Sequence, residues 1–188
     1  MQGTRGAPLS GAADATEDHG RRRGGVLAVV AASVLLLDQV SKMIALDRLG
    51  DGRVVDVIDG VLRLRLVRNP GAAFGLGGDF TVVLAVLMIA VIVVILTMSR
   101  RLGSVPWAVA LGGMLGGAFG NLADRIFRAP GPLRGHVIDF LELPNWPVFN
   151  LADSAIVGGA ALIVILSVRG IAHDGRTAHV RPDQGGDA

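Results

Sequence analysis

Four long apolar stretches constrain this chain more than any other feature of its sequence. They run from residue 25 to about residue 46, from 81 to 98, from 105 to 123 and from 151 to 168. The second and third contain no charged residue, and the fourth contains only Asp153, near its start. A helix that crosses the roughly 30 Å hydrocarbon core of a bilayer needs about 20 mostly apolar residues. We therefore predict four transmembrane helices.

The composition agrees with a membrane protein and excludes several classes of function. Of the 188 residues, 18% are charged, whereas a soluble domain averages about 25%. The chain has no Cys, which excludes disulfides, Cys-ligated zinc, iron–sulfur clusters and thiol nucleophiles. With 4% aromatic residues and a net charge of only +2, we expect no nucleic-acid partner.

Both ends of the chain lack the apolar pattern. Residues 1–24 are rich in Gly, Ala, Asp and Arg, and residues 170–188 are similar. We predict two disordered tails, with one integral membrane domain over residues 25–169. A cleaved signal peptide is the alternative for the first stretch, because three Arg at 21–23 precede it. The polar run at 38–42 argues against it, since it continues the helix without a clear cleavage site.

The segment between the first two helices has the period of a β-sheet. Leu and Arg alternate over residues 62–66, and Asp59-Gly60 separates this run from a second apolar run at 54–58. Asp-Gly is a strong signal for a hairpin turn. We predict a small amphipathic sheet, with its Leu face inward and its Arg face toward water or lipid headgroups.

The distribution of positive charge gives a weak indication of orientation. Basic residues divide about evenly between the two sides of the predicted bundle, so their totals do not decide. The positive-inside rule applies best to short connections near helix ends. The short loop at 99–104 contains Arg100 and Arg101, which favours a cytoplasmic location for both termini.

Ionisable groups within membrane spans are costly, so each one is a candidate functional residue. Asp38 and Lys42 lie four residues apart, on one helix face and in the favourable acid-first order. They form a self-neutralising pair, line a polar site, or do both. At the end of the third helix, Asn121 shares a face with Asp124 or Arg125, and an Asp-Arg ending is most simply an interfacial anchor.

Further carboxylates precede and open the fourth helix. Asp139 lies among apolar residues, in a strand or a membrane-dipping segment, and is either a turn residue or a buried functional carboxylate. Asn150 and Asp153 fit a capping box, which alone could explain both. Because the third helix exits where the fourth enters, Asp124, Asp139 and Asp153 share one membrane face. Two carboxylates about 3 Å apart share a proton, which is the chemistry of an aspartic protease.

Five motifs occur in order between residues 38 and 154. They are Asp38-Gln39-x-Ser41-Lys42, Asn69-x-Gly71-Ala72-Ala73-Phe74, Gly120-Asn121-x-x-Asp124-Arg125, Val137-Ile138-Asp139-Phe140 and Phe149-Asn150-x-Ala152-Asp153-Ser154. Together they resemble the type II signal peptidases, or lipoprotein signal peptidases, of bacteria. Any one motif alone is weak, whereas five in register on a four-helix layout are very specific.

The resemblance implies an all-α membrane fold, a four-helix transmembrane bundle with a small extracytoplasmic β-sheet cradle. It implies an intramembrane aspartic endopeptidase of the bacterial cytoplasmic membrane. The enzyme would remove the signal peptide from diacylglyceryl-modified prolipoproteins, cleaving just before the lipidated Cys. Its partners would be these prolipoproteins and membrane lipids, and no cofactor or metal is expected.

The resemblance also assigns the site residues. The catalytic pair would be Asp139 and Asp153, and the neighbouring Arg125 gives Asp124 a supporting, substrate-orienting role. The substrate-binding or supporting residues would be Asp38, Lys42, Asn69, Gly71, Asn121, Asp124, Arg125 and Asn150. Members of the family often carry a longer stretch between the two catalytic motifs than residues 141–148 provide here.

Other kinds of function fit the residues less well. A Ser/Lys peptidase would need Ser41 or Ser154 with Lys42, but Ser41 and Lys42 are adjacent and point about 100° apart on a helix. A rhomboid-type serine protease needs a partner His, and only His136 lies near the motifs. A metalloprotease needs a ligand cluster such as His-Glu-x-x-His, which the sequence lacks. An ion or proton relay in a transporter is a further alternative, although four helices without a repeat are few for it.

Overall fold

A computed structural model of the chain describes residues 10–71 and 80–175, with side chains for residues 23–71 and 81–175. These residues form a helical bundle and a small sheet. The elements, in chain order, are α1 (Ser10–Leu49), β1 (Val54–Ile58), β2 (Leu62–Asn69), α2 (Phe80–Ser99), α3 (Val105–Phe127), β3 (Val137–Glu142) and α4 (Leu151–Val168).

The four predicted transmembrane helices are confirmed. Each helix contains a segment long and apolar enough to cross a membrane, and in α1 this segment is Arg23–Leu49. The helix itself begins earlier, at Ser10, and so includes most of the expected N-terminal tail, where Ala and Glu favour helix. Residues 1–9 and 176–188 lie outside the described part of the chain, so the tails there stay predictions.

The central helix of the bundle is α3. It packs against α1, α2 and α4, and most of its membrane-length segment is buried, whereas less than a quarter of each of the other three segments is buried. Large apolar side chains cover these outer faces, among them Leu36, Val86 and Val164. Helices that are apolar on their exposed faces are suited to a lipid environment.

Two glycines of α3 bring its neighbours close. A Cβ atom at Gly116 would lie 2.5 Å from the Ala31 carbonyl oxygen of α1. One at Gly117 would lie 2.5 Å from the Ala152 carbonyl oxygen of α4. Any side chain at these positions would push the helices apart, because small residues are what permit such close backbone approach in membranes. Because adjacent residues of a helix point about 100° apart, the close packing places α1 and α4 on neighbouring faces of α3, next to the polar residues.

The sheet is antiparallel, with strand order β1-β2-β3. Asp59-Gly60 forms the predicted hairpin turn, where Gly60 has a φ of +70° that suits glycine. Along β2, the Leu residues are half-buried and Arg63 and Arg65 are exposed. The amphipathic alternation is therefore confirmed. The run around Asp139 is a strand, β3, which pairs with β2.

Residues 170–175 are ordered, although we expected a disordered tail from residue 170 onward. The Trp107 indole N–H donates to the Ile171 carbonyl oxygen at 2.8 Å. The Gly103 amide donates to the His173 carbonyl oxygen at 2.8 Å, and the His173 ring lies edge-on to Trp107 at 6.1 Å. These contacts hold the chain after α4 against the start of α3, a partner that the local composition does not reveal.

Candidate active site

The polar residues singled out in the sequence meet at one end of α1, α3 and α4, beside the sheet. Most of their side chains are buried, each with no more than 3% of its surface exposed: Asp38, Lys42, Asn121, Asp124, Arg125, Asp139 and Asn150. Buried polar groups of this kind are costly unless they are paired. Their partners therefore define the site.

Lys42 is the centre of an ion-pair cluster. Its Nζ atom lies 2.8 Å from Asp38 Oδ2 and 2.8 Å from Asp124 Oδ2. It also donates to Asn121 Oδ1 at 2.9 Å. The ammonium group thus uses all three of its donors. The predicted Asp38–Lys42 pair is confirmed, and it also contacts the polar residues of α3.

Asp38 connects α1 to the start of α4. Its Oδ1 atom accepts the backbone N–H of Ala152 at 3.0 Å, so a carboxylate lies at the partially positive end of α4. Gln39 supports this contact by donating to Asp38 Oδ2 at 3.2 Å and to the Gly120 carbonyl oxygen at 3.0 Å. Gln39 is not among the predicted site residues, although its place in the first motif was a signal.

Asp124 is buried and does not act as an interfacial anchor. In addition to Lys42, it accepts a hydrogen bond from the Arg128 Nε–H and one from the backbone N–H of Ile138 at 3.2 Å. Arg128 is not among the predicted site residues either, although its position four residues after Asp124 favours such a pair. Asp124 therefore joins α1, α3 and β3.

Arg125 is also buried, contrary to the anchor interpretation. Its Nη1 atom donates to the Gly135 carbonyl oxygen at 3.4 Å, and its Nε atom has no hydrogen-bond partner among the described residues. Its positive charge acts on Asp124, Asp139 and Asp153. Arg125 is thus placed to stabilise negative charge on all three carboxylates.

Asp139 accepts hydrogen bonds from two amide side chains. Asn69 Nδ2 donates to its Oδ2 atom at 2.8 Å, and Asn150 Nδ2 donates to its Oδ1 atom at 2.6 Å. Burial raises the pKa of Asp139 from 3.8 to about 6, against the opposing effect of the two amide donors, and the nearby negative charge of Asp153 adds to the increase. Asp139 is therefore a buried carboxylate that holds a proton more readily than usual.

A bulge in β2 places Asn69 beside Asp139. The pairing with β3 shifts between Leu64 and Val67, and Val67 then lies opposite Asp139. Asn69 is two residues beyond Val67 and so projects from the same face of the strand. Without the extra residue, strict alternation from Leu64 would point Asn69 to the other face. The Asn69 Oδ1 atom also accepts the backbone N–H of Gly71 at 2.8 Å, which fixes the amide.

Asp153 serves both as a helix cap and as a site residue. Asn150 Oδ1 accepts the backbone N–H of Asp153 at 3.0 Å, and Asp153 Oδ2 accepts the backbone N–H of Asn150 at 3.2 Å. This is the predicted capping box. Asp153 Oδ1 also accepts from Asn121 Nδ2 at 2.8 Å. The capping box therefore holds Asp153 through Oδ2, while Oδ1 of the same carboxylate contacts α3.

Two asparagine amides link Asp153 to Asp139. The Asn150 oxygen accepts from the α4 backbone, so its Nδ2 points to Asp139 and to Asn121 Oδ1, at 3.1 Å from the latter. Asn121 Oδ1 accepts from both Lys42 and Asn150, so its Nδ2 is left to donate to Asp153. Because each amide has one acceptor and one donor side, this network fixes both orientations. The two predicted catalytic carboxylates thus belong to one hydrogen-bonded cluster.

The two serines near Lys42 and Asp153 bond to their own helices. The Ser41 hydroxyl donates to the Asp38 carbonyl oxygen at 2.9 Å, and the Ser154 hydroxyl donates to the Asn150 carbonyl oxygen at 3.0 Å. Lys42 is fully engaged by other partners. The arrangement does not favour a Ser/Lys peptidase, whose base must be free to accept the serine proton.

Comparisons with known proteins show what this chain is similar to. The lipoprotein signal peptidase of Streptomyces griseus is 52% identical over 172 residues, which cover 90% of this chain and 87% of that protein. That of Mycobacterium avium is 50% identical over 173 residues, covering 92% and 95%. A solved structure described as "Bacterial membrane enzyme structure by the in meso method at 1.9 A resolution" matches with a TM-score of 0.69 at 28% identity, over 77% of this chain and 94% of the other.

A family model described as "Signal peptidase (SPase) II" matches residues 30–169. This range contains most of the membrane-length segment of α1, the whole of α2, α3 and α4, and every residue of the polar cluster. The relatives above are similar over nearly their full length. The chain therefore belongs to the signal peptidase II family of proteases.

Proposed function

We propose that this chain is an aspartic endopeptidase that removes the signal peptide from diacylglyceryl-modified prolipoproteins, cleaving just before the lipidated Cys. Membership of the signal peptidase II family supports the reaction, and the relatives named lipoprotein signal peptidases support the substrate class. The observation that carries the proposal for the site is the single network that joins Asp139 and Asp153 through Asn150 and Asn121.

The two carboxylates act together on one water molecule. In this proposal Asp139, whose pKa burial raises to about 6, holds the shared proton, which polarises the scissile carbonyl. Ionised Asp153, at the start of α4 and hydrogen-bonded by Asn121, takes a proton from the attacking water. The tetrahedral intermediate then collapses as the leaving amine receives a proton from the pair. Both residues titrate as a unit, so the cycle returns the dyad to its singly protonated state.

The surrounding residues position this pair. Asn69 and Asn150 hold Asp139 by both oxygens, and Gly71 fixes the Asn69 amide through its backbone N–H. Arg125 supplies positive charge close to the negative charge that develops during attack. Asp38, Lys42 and Asp124 lie behind these residues and support them, because Lys42 orients Asn121.

The substrate approaches from the bilayer with its lipid chains still in the membrane. The site lies where α3 ends and α4 begins, at the opposite end of α3 from the loop that contains Arg100 and Arg101. Positive charge in that short loop supports placing it in the cytoplasm. We therefore propose that the site and the sheet are extracytoplasmic, in a bacterial cytoplasmic membrane, and that both termini are cytoplasmic.

The proposal is tested by cleavage of a diacylated prolipoprotein, followed by gel shift, with the full-length protein in lipid. Asp139→Asn and Asp153→Asn should each lower the cleavage rate by about 10²–10⁴-fold, because each removes a general acid or base. Asp47→Asn is the matched control, since Asp47 is an exposed aspartate of α1. Near-normal rates for both site variants would refute the dyad. Equal cleavage of an unlipidated prolipoprotein would refute the proposed substrate class.

A further inference from the structure

A cavity whose largely apolar wall contains two arginines and one histidine lies behind the sheet, outside the carboxylate network. Its volume is about 270 Å³, and its lining consists of Leu46, Arg68, Arg128, Ala129, His136 and Ile138. Arg68 and Ile138 face each other across the β2–β3 pair, on the side of the strands opposite to Asn69 and Asp139. The sheet therefore separates this cavity from Asp139.

The cavity carries an unbalanced positive charge. Arg128 pairs with Asp124, which also pairs with Lys42, and Lys42 pairs with Asp38. These two acids and two bases sum to zero. Arg68 is exposed and makes no ion pair within the described part of the chain. One uncompensated positive charge thus remains at the cavity, and it suits a ligand with a single negative charge.

The donors of the cavity suit a phosphate oxygen. Guanidinium groups present N–H donors in a fork that matches phosphate geometry, and Arg68 and Arg128 belong to different elements that converge here. The His136 ring adds a further polar group, while Leu46 and Ile138 provide an apolar wall. The volume is below the roughly 300–1,000 Å³ of pockets that enclose a whole drug-sized ligand. It therefore fits a headgroup fragment rather than an entire lipid.

The position of the cavity indicates which kind of molecule carries the phosphate. Leu46 lies near the end of the membrane-length segment of α1, and Arg128 directly follows the end of α3. Both helix ends mark the membrane surface, where phospholipid headgroups lie. Acyl chains attached to a bound phosphate can stay in the bilayer beside the apolar outer faces of the helices.

We propose that this cavity binds the headgroup phosphate of an anionic membrane phospholipid. Its single excess charge matches a phosphodiester with no balancing cation, so a lipid with an anionic headgroup binds in preference to a zwitterionic one. Arg128 contacts both the cavity and Asp124, which links the bound lipid to the ion-pair cluster of Lys42. The proposal does not depend on the peptidase chemistry.

The test measures lipid binding by native mass spectrometry of the full-length protein released from detergent micelles. Phosphatidylglycerol is titrated against phosphatidylcholine with the same acyl chains. We expect the wild type to prefer phosphatidylglycerol by at least about fivefold. Arg68→Gln should weaken phosphatidylglycerol binding about tenfold, because a charged hydrogen bond is lost, and His136→Gln should weaken it less. Thermal unfolding confirms that each variant is folded.

Arg134→Gln is the matched control. Arg134 is an exposed arginine in the connection between α3 and β3 that also contains His136, but it does not line the cavity. Unchanged binding in this variant supports a defined site. Equal weakening by Arg68→Gln and Arg134→Gln would indicate diffuse attraction to the surface and overturn the proposal. Displacement of the lipid by millimolar inorganic phosphate would assign the site to free phosphate instead, and the absence of a lipid preference would also overturn it.

Discussion

Replacement of Lys42 by Met tests whether the ion-pair cluster holds the bundle together. Met is close to Lys in length, so packing is largely kept while the ammonium is lost. Lys42 contacts Asp38 and Asp124 at 2.8 Å each, and all three side chains have 0% exposure. Of the two acids, Asp124 keeps Arg128 as a cationic partner. Asp38 is left with neutral donors, so the variant buries one uncompensated negative charge.

The size of the effect follows from the burial of the cluster. Breaking a buried ion pair by removing one partner costs about 3–5 kcal/mol, a large fraction of the 5–15 kcal/mol that typically separates folded from unfolded protein. For a chain of 150–250 residues, each kcal/mol shifts the melting temperature by about 2–4 °C. Lys42→Met should therefore lower the melting temperature by roughly 6–20 °C, measured by thermal unfolding in detergent.

An exposed ion pair in the same helix provides the control. Arg48 pairs with Asp47 at 3.2 Å, but both side chains are 77% exposed. Such pairs contribute about 0–1 kcal/mol, so Arg48→Met should change the melting temperature by no more than about 4 °C. If Lys42→Met and Arg48→Met had equal effects, the cluster would not stabilise the bundle.

A double variant separates charge from shape. In Asp38→Asn/Lys42→Met the cluster is again neutral, and the amide oxygen of the substituted side chain can still accept the Ala152 N–H that Asp38 accepts in the native protein. The double variant should therefore be more stable than Lys42→Met alone. A double variant that is less stable than the single one would refute the argument from charge and favour lost packing as the cause.

Three further outcomes are expected. Because the proposed dyad needs one proton and the pKa of Asp139 is raised to about 6, kcat/KM should fall about tenfold per pH unit above that value; a flat profile from pH 5 to 9 would remove Asp139 as the proton holder. Protonated Asp139 contributes its full share to the free energy of unfolding below pH 3.8, and this share is lost as pH rises through about 6. The free energy of unfolding of the wild type, measured with denaturant, should therefore fall by up to about 3 kcal/mol over this range. The Asp139→Asn variant should not show this fall. Gly117→Ala should destabilise the bundle by about 1–3 kcal/mol and slow cleavage, because its Cβ would lie 2.5 Å from the Ala152 carbonyl oxygen at the start of α4. Gly113→Ala is the control, because the nearest atom to its Cβ would be 3.7 Å away. Similar melting temperatures for the two variants would contradict the packing argument.

Much of the fold follows from local features of the sequence. A span must be about 20 residues long and apolar because the bilayer has a fixed thickness and offers no hydrogen bonds. Alternation of Leu and Arg and the Asp59-Gly60 turn likewise determine the hairpin, since side chains of a strand alternate between faces. The ion pair of Asp38 with Lys42 is local too, because residues four apart on a helix are neighbours.

The geometry of the site depends on contacts between distant residues. Asn69 and Asp139 lie 70 positions apart, and they meet because a bulge in β2 changes the face from which Asn69 projects. No spacing within the sequence indicates that bulge. The burial of Asp124 and Arg125 was missed for a similar reason, because a charged pair at a helix end looks the same whether water or a strand covers it.

The sequence by itself determined that this chain crosses a membrane four times and which polar residues form its motifs, because both properties depend only on local periodicity and residue type. The tertiary structure decided how those residues are combined. It showed that Asn121 and Asn150 each present one definite side of their amide to the carboxylates, since an amide can accept on one side and donate only on the other. Those orientations are set by Lys42 and by the first turn of α4, and such partners come together only when the helices pack.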